Sequence, residues 1–382
     1  MEGVVPINKT AMILMGVSLT SVLASGCAAK TVSSHQTHNT HTKSATAKSS
    51  TLASVSSIHM VNRNQGWAFT KDGVFTTQNG GVSWSNVSPH DLAENVQLFG
   101  DFLDLKDASV AYPNPVTFGE ALETTIYSTK NAGGTWNKST ISGGSVKSVD
   151  FINSQTGWML LFRGATAIKE HDLIMQTTDG GQHWNQVSQT SKTTPTDQPG
   201  VLPLSGDKAG VGFVSSTTGW VTGYSPVNGK IYLYKTMNDG KAWNLQSVPV
   251  PQKWVGNLFM VVSPKFYSSQ VGILPIENLN GTVIFYYTQN GGISWQPTTP
   301  VAWVFGDNLA WDFFDSKRGF FIDGKLLKRT TNGGKSWSTV TPNINFSNVT
   351  ELDFVSKKDG WAVTSGGELY KTTDAGKDWL KS

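Results

Sequence analysis

The sequence predicts an all-β fold, a seven-bladed β-propeller of four-stranded antiparallel blades, and three observations lead to this prediction. An eight-residue pattern with Thr first, Asp or Asn third, Gly fifth and Trp eighth occurs seven times in the 382 residues. A Gly-Trp pair, or a variant of it, precedes most copies, and a short apolar run precedes each pair. Four short strands in a period of roughly 40 to 60 residues are typical of propeller blades.

Each copy of the eight-residue pattern is expected to close a tight turn between the third and fourth strands of a blade. Thr, Asp and Asn side chains hydrogen-bond to backbone groups a few residues on, and Gly supplies a positive φ. The Trp begins the fourth strand and buries a large apolar surface. We therefore assign these residues a structural role. The seven tryptophans are Trp84, Trp136, Trp184, Trp243, Trp295, Trp337 and Trp379.

The first strand of each predicted blade is an apolar run with a distinctive central residue. Asp353 is central in the last repeat, and Leu103-Asp104-Leu105 is the predicted first strand of the second repeat. Because side chains alternate along a strand, each central residue lies on the side opposite its apolar neighbours. We expect several of them to approach the central channel. The central residues are His59, Asp104, Asp150, Gly212, Lys265, Asp312 and Asp353.

The predicted channel is acidic, and two roles are open to its carboxylates. Clustered carboxylates raise one another's pKa and attract cations or a basic partner segment. In the alternative, each Asp accepts hydrogen bonds from backbone N–H groups between adjacent blades, because buried carboxylates need such partners. We favour the second, structural role.

The repeats from about residue 55 onward resemble the BNR, or Asp-box, propellers of the sialidase-like superfamily. The rhythm of Phe354 to Trp361, followed by Thr372 to Trp379, is most similar to the photosystem II stability/assembly factor family. This resemblance implies an exported, often lipidated, non-enzymatic scaffold that binds partner proteins. That family also has an arginine-rich patch, which is not matched by the few arginines of this chain.

An enzyme is not indicated. Sialidases carry a Phe-Arg-Ile-Pro motif near their start, and the nearest match, Phe162-Arg163-Gly164-Ala165, comes late and differs in sequence. The sequence has no recognisable Ser–His–Asp, P-loop or His/Glu metal motif. We therefore expect no catalytic residues, no cofactor and no metal, with glycosidase activity as a distant alternative.

The long connections fall on one predicted face. Loops between the second and third strands, and between one blade and the next, are extended in repeats two to five. Insertions on one face of a repeat protein usually mark the binding face. Trp254 and Trp303 lie in two of these connections and have no place in the repeat pattern, so we predict them as ligand contacts. Packing beneath the long loops is the alternative.

Residues 1–26 are predicted to be a lipoprotein signal peptide. Lys9 precedes an apolar run that ends at Ala24, and residues 23–27 resemble a bacterial lipobox. Cys27 is the only cysteine in the chain, so we predict it as the lipid attachment site. An ordinary signal peptide and an uncleaved anchor are the alternatives.

Residues 27–50 are predicted to be a flexible tether rich in Ser, Thr and His, because almost nothing in them can be buried. The net charge of +3 comes from Lys30, Lys43 and Lys48 of this tether, and the propeller, residues 51–382, is neutral. A neutral body argues against a nucleic-acid partner. A basic tether beside a lipid suits an anionic membrane surface, here the extracytoplasmic side of a bacterial cell membrane.

The predicted function is a monomeric, lipid-anchored, non-enzymatic scaffold for protein binding or assembly. The alternative is a propeller that binds carbohydrate or cell wall. In both cases the partner, a protein or a cell-surface glycan, is expected on the face with the long loops.

Overall fold

The computed structural model describes residues 40–42, 52, 54–115, 121–166, 169–191, 199–303 and 309–382. The predicted signal peptide, Cys27 and all but three residues of the tether lie outside this part. Its strands in the first three repeats, with one strand from the tether, are β1 (Thr40–Thr42), β2 (Val55–Met60), β3 (Gly66–Thr70), β4 (Gly73–Thr77), β5 (Trp84–Asn86), β6 (Phe99–Phe102), β7 (Ala108–Pro113), β8 (Glu123–Thr129), β9 (Thr135–Ser142), β10 (Ser145–Phe151), β11 (Gly157–Thr166), β12 (Lys169–Thr177), β13 (Asn185–Ser191) and β14 (Leu202–Pro203).

The remaining repeats continue the same pattern. The 3-10 helices are η1 (Gln252–Trp254) and η2 (Phe346–Asn348). The strands are β15 (Asp207–Phe213), β16 (Gly219–Tyr224), β17 (Tyr232–Thr236), β18 (Asn244–Leu245), β19 (Phe259–Val261), β20 (Lys265–Phe266), β21 (Gly272–Asn278), β22 (Thr282–Thr288), β23 (Gln296–Pro297), β24 (Val301–Ala302), β25 (Trp311–Phe313), β26 (Gly319–Asp323), β27 (Leu326–Thr330), β28 (Ser338–Val340), β29 (Val349–Phe354), β30 (Gly360–Thr364), β31 (Leu369–Thr372) and β32 (Leu380–Lys381).

Each repeat forms an antiparallel unit in which consecutive strands pair. The first, sixth and seventh repeats are separate four-stranded sheets, and the second and third each gain a fifth strand, β1 and β14. The fourth and fifth repeats share one ten-stranded sheet, because Tyr224 of β16 pairs with Met260 of β19. The all-β propeller architecture is thus confirmed, whereas the count of seven separate blades stays a prediction.

The eight-residue pattern closes its turn in the expected way. In the first repeat the Thr77 hydroxyl donates to Asn79 Oδ1 at 3.1 Å and accepts the N–H of Gly81 at 2.9 Å. Asn79 Oδ1 also accepts the N–H of Ser83, and Trp84 Nε1 donates to the carbonyl oxygen of Gly81 at 3.0 Å. Polar side chains therefore close the turn, and the Trp ring is buried in every repeat except the sixth, where Trp337 is half-buried.

Aromatic stacking connects the repeats to one another. In the first, third, fourth and sixth repeats, the aromatic residue after the first Gly of the second strand stacks on the first-strand Phe of the following repeat. Trp158 and Phe213 stack with centroids 3.6 Å apart, and Phe320 and Phe354 stack at 3.7 Å. Such contacts give each repeat a core that it shares with its neighbour.

The strand order defines two faces. We call the loop face the one that carries the loops between second and third strands and the connections between repeats. The opposite face carries the eight-residue turns, and we call it the Asp-box face. Among the described residues, no helix is long and apolar enough to cross a membrane.

Candidate functional site

The central position of each first strand is fixed by its partner on the second strand. Asp150 lies opposite Trp158, the residue after the second-strand Gly. In the second repeat, Asp101 lies at this position, opposite Ser109. The prediction that Asp104 belongs to the channel is therefore wrong.

Asp104 lies after β6, in the turn that leads to the second strand. Its side chain is exposed, and Oδ1 accepts the N–H groups of Lys106 at 2.6 Å and Asp107 at 2.8 Å. The sequence does not indicate the true position because the second repeat has Ala108-Ser109 where the other repeats have Gly-Trp or a similar pair.

Four carboxylates at the central position join neighbouring repeats. Each accepts a backbone N–H from the first strand of the following repeat, which is the structural role favoured above. The pairs are Asp101 Oδ2 with Phe151 N at 2.5 Å, Asp150 Oδ2 with Phe213 N at 2.7 Å, Asp312 Oδ2 with Phe354 N at 2.7 Å, and Asp353 Oδ2 with Met60 N.

One basic group, Lys265, offsets part of the acidic charge of this ring, whereas His59 is neutral near pH 7. Lys265 Nζ lies 2.7 Å from Asp312 Oδ1, and His59 stacks on Phe102 with centroids 5.6 Å apart. Burial, together with the charge of Lys265, lowers the pKa of His59 to about 4. Within the described ranges, no group of three or more His, Cys, Asp or Glu side chains is arranged to hold a metal ion. The ring is therefore best described as a set of links between repeats.

The stability of the Asp101→Asn variant, compared with that of the wild type at the same pH, is expected to increase as the pH rises. Burial raises the pKa of Asp101 to about 6 from 3.8. A raised folded-state pKa contributes stability that is present below the unfolded pKa and is lost as pH rises through the folded one. An amide keeps an acceptor for the N–H of Phe151 and does not ionise. The melting temperature of the variant minus that of the wild type should increase from pH 4 to pH 8.

The matched control for this experiment is Asp104→Asn. Hydrogen bonds from Asp107 and Lys106 lower the pKa of Asp104, so its replacement should produce no such increase. Parallel pH curves for Asp101→Asn and the wild type would contradict the burial of an ionisable carboxyl at this position.

Trp254 and Trp303 are buried, so the prediction that they are exposed ligand contacts is wrong. Trp254 is 5% exposed and packs with Phe259, and Trp303 is 6% exposed and packs with Leu309. The two rings belong to separate hydrophobic clusters. Both rings pack in the interior beneath the long loops, as the alternative interpretation of the sequence predicts.

The two most exposed large apolar side chains of the loop face lie instead on touching loops of the fourth repeat. Val227 is 56% exposed in the loop between β16 and β17, and Val255 is 62% exposed in the connection that follows β18. The N–H of Gly229 donates to the carbonyl oxygen of Asn257 at 2.6 Å, which holds the two loops together. We call Val227 and Val255 the exposed valine pair.

A buried ionic cluster lies beneath the loop face between the third and fourth repeats. We define it as Lys147, Glu170, Asp172, Asp207 and Lys208. Lys147 Nζ lies 2.7 Å from both Glu170 Oε1 and Asp207 Oδ1. Lys208 Nζ lies 3.7 Å from Asp172 Oδ2, and neither side chain is exposed. These residues sit near the loop-face ends of β10, β12 and β15.

Lys208 ties the connection between the two repeats to this cluster. Its Nζ donates to the carbonyl oxygens of Leu204 at 3.0 Å and Gly206 at 2.9 Å, and its backbone N donates to Glu170 Oε2 at 2.7 Å. Burial, and then the charge of Glu170, raises the pKa of Asp172 to about 8. The cluster therefore fixes the backbone on which this part of the loop face is built.

Sequence reasoning missed this cluster. Its members come from strands that lie far apart in the sequence, and no motif connects them. The available signal was the placement of Lys147 and Lys208 at the start of first strands, where the pattern is otherwise apolar.

Comparison with solved structures places the chain among β-propellers. The β-propeller domain of Cps50 (Swd1) from Myceliophteria thermophila aligns with a TM-score of 0.53 at 8% identity, over 88% of this chain and 99% of that one. This likeness supports the fold predicted from the repeats. At such an identity it concerns the fold alone.

Two further similar structures are those of YCF48. The protein from Cyanidioschyzon merolae aligns with a TM-score of 0.49 at 18% identity, over 76% of this chain and 86% of that one. YCF48 bound to D1 peptide aligns with a TM-score of 0.41 at 14% identity, over 90% and 85%. The sequence matches no family model and no curated protein.

Proposed function

We propose that this protein is a non-enzymatic scaffold that binds a protein partner through its loop face. The observation that carries the proposal is the exposed valine pair, which presents apolar side chains on two loops held together by a backbone hydrogen bond. Apolar groups at the centre of a contact supply much of the affinity of protein interfaces.

The ionic cluster supports the same proposal. It fixes the connection between the third and fourth repeats, on the same face as the valine pair. A surface held in its binding conformation loses less entropy when a partner binds. A rigid platform of this kind suits a scaffold.

Carbohydrate binding is the weaker alternative. Sugar platforms use exposed aromatic rings, and none of the Trp, Tyr or Phe side chains described by the structure is fully exposed. Trp254 and Trp303, the two rings predicted as ligand contacts, are buried. The carboxylates at the central position are engaged with backbone N–H groups, which argues against a glycosidase pair there.

The two kinds of partner are distinguished by capture from membranes beside a glycan array. Tagged wild-type protein and a Val227→Asp/Val255→Asp variant are incubated with detergent-solubilised membranes of the source organism. We expect a protein that the wild type retains and the variant does not. Binding to defined glycans, with no protein retained, would contradict the proposal.

We further propose that the protein is held at the extracytoplasmic side of a bacterial membrane through lipid on Cys27. The lipobox-like residues 23–27 and the basic tether support this location. Cys27→Ser should release the protein to the medium or leave the precursor uncut, as seen by fractionation and mass. Unchanged membrane association at the mature mass would show that Cys27 is not the anchor.

A further inference from the structure

A crevice of about 410 Å³ lies on the Asp-box face between the sixth and seventh repeats. We call it the Arg329 crevice. Phe314 and Phe320 line its apolar part, and its basic side chains are Arg318, Arg329, Lys357 and Lys358.

The crevice lies where Phe320 takes the position that Trp holds in four other repeats, the first, third, fourth and seventh. Trp158 of the third repeat donates its Nε1–H to the carbonyl oxygen of Asp239, in the Asp-box turn of the following repeat, at 3.0 Å. Phe320 stacks on Phe354 at 3.7 Å, as Trp158 stacks on Phe213 at 3.6 Å. A phenyl ring therefore keeps the stacking position but lacks the second ring and the N–H that would reach the next turn.

An indole N–H at position 320 would donate to the eight-residue turn of the seventh repeat. Ala375 occupies the same place in that turn as Asp239 does in its own, and it lines the crevice together with Phe320. Trp361 shows the same contact at the other side of the seventh repeat, where its Nε1–H donates to the carbonyl oxygen of Gly80 at 3.2 Å.

Arg329 also differs from its counterparts in other repeats. The residue before the first Thr of the turn is Lys235 in the fourth repeat and Lys371 in the seventh. Lys235 Nζ donates to the carbonyl oxygen of Gly292 at 3.1 Å, and Lys371 Nζ donates to that of Gly80 at 3.0 Å. Within the described residues Arg329 Nε is buried without a hydrogen-bond partner. The Arg329 side chain therefore lines the crevice and carries an Nε–H donor that no described acceptor uses.

The charge of the crevice is positive. Arg318 is already paired with Asp315 and lies over the Phe314 ring at 5.0 Å. Lys357 and Lys358 are exposed, and the described residues include no carboxylate paired with either. The remaining acid, Asp374, is engaged in its own turn, where it accepts the N–H of Asp378 at 3.0 Å.

We propose that the Arg329 crevice binds a small ligand with an anionic group on an aromatic or short aliphatic body. The anionic group, a carboxylate or a phosphate, accepts hydrogen bonds from the Arg329 guanidinium. Such charge-assisted hydrogen bonds are stronger than those between neutral groups. The apolar body fills the space beside Phe314 and Phe320. This site is on the face opposite the exposed valine pair and does not depend on the proposed scaffold role.

The proposal is tested by titrating the full chain with phenyl phosphate and benzoate, followed by NMR or calorimetry. Inorganic phosphate and benzyl alcohol are the controls for the two halves of the ligand. We expect at least one of the two anionic aromatic probes to bind at least about tenfold more tightly than either control. The proposal is overturned if neither phenyl phosphate nor benzoate binds more tightly than inorganic phosphate and benzyl alcohol.

Arg329→Met should lower the affinity for the probe at least about tenfold, because it removes the charge and retains a long apolar side chain. Arg163→Met, an exposed arginine on β11, is the matched control and should leave probe affinity unchanged. Equal effects of the two substitutions would show that the arginine in the crevice has no part in binding.

Phe320→Trp provides a second test that does not require loss of stability. The indole should fill the crevice and donate to the carbonyl oxygen of Ala375, as Trp158 does to Asp239. We expect the melting temperature to rise by about 2 to 4 °C and probe binding to be lost. A variant that is more stable and still binds the probe with wild-type affinity would contradict the assigned site.

Discussion

Replacing Lys208 with methionine is expected to lower the free energy of unfolding by about 3–5 kcal/mol, the range for removing one partner of a buried ion pair. Lys208 is fully buried and lies 3.7 Å from Asp172. Its loss removes the Nζ donor from the Gly206 carbonyl oxygen and leaves the Leu204 carbonyl oxygen with the backbone N–H of Glu170 alone. It also leaves Lys147 as the only basic side chain of the ionic cluster, beside three acidic ones. Denaturant unfolding of the two proteins measures the difference.

The effect of Lys208→Met should be larger at pH 8 than at pH 5. Burial raises the pKa of Asp172 and of Glu170, so both acids hold protons more readily at the lower pH and need less compensation. Lys325→Met, at an exposed lysine, is the control and should change stability by less than about 0.5 kcal/mol. A loss as small as that of the control would show that the cluster does not support the fold.

Trp243→Ala is expected to cost about 3–5 kcal/mol, the range for emptying a buried aromatic site. Trp243 is 0% exposed, meets the edge of Phe213 with centroids 6.2 Å apart, and donates Nε1–H to Ser188 Oγ at 2.9 Å. The substitution removes the packing of two repeats at once. Thermal or denaturant unfolding measures the loss.

The control for Trp243→Ala lies within the same repeat pattern. Trp337 holds the equivalent position in the sixth repeat but is only half-buried. Trp337→Ala should therefore destabilise the protein less than Trp243→Ala does, since less apolar surface returns to water. Equal losses would mean that burial does not decide the contribution of these tryptophans.

The turns and most first strands could be predicted from the sequence because each depends on local chemistry. The Thr, Asx, Gly and Trp of each turn contact one another within eight residues, so their spacing is preserved in the sequence. The second repeat was the exception. Ala108-Ser109 has neither the Gly nor the large apolar residue that begin the second strand elsewhere, so the sequence pattern predicts the first strand three residues too late.

Apart from the carboxylate links at the central position, the contacts between repeats could not be predicted. An aromatic residue outside the repeat pattern is equally consistent with an exposed contact and with filling under a loop, and for Trp254 and Trp303 the structure shows filling. The ionic cluster depends on how β12 meets β15 across a repeat boundary. Lys147 also lies at a break in strand register between Val146 and Ser148, which the sequence does not reveal.

The most direct test of the account compares the two faces of the propeller in one binding measurement. Val227→Asp/Val255→Asp places charge on the loop face. Met237→Asp/Ile293→Asp does the same at two residues of the Asp-box face that are 72% and 71% exposed. With the protein partner captured from membranes, we expect the first variant to bind at least about tenfold more weakly and the second to bind like the wild type. The reverse result, with both variants folded, would place the binding surface on the Asp-box face and contradict the proposal that the loop face binds the partner.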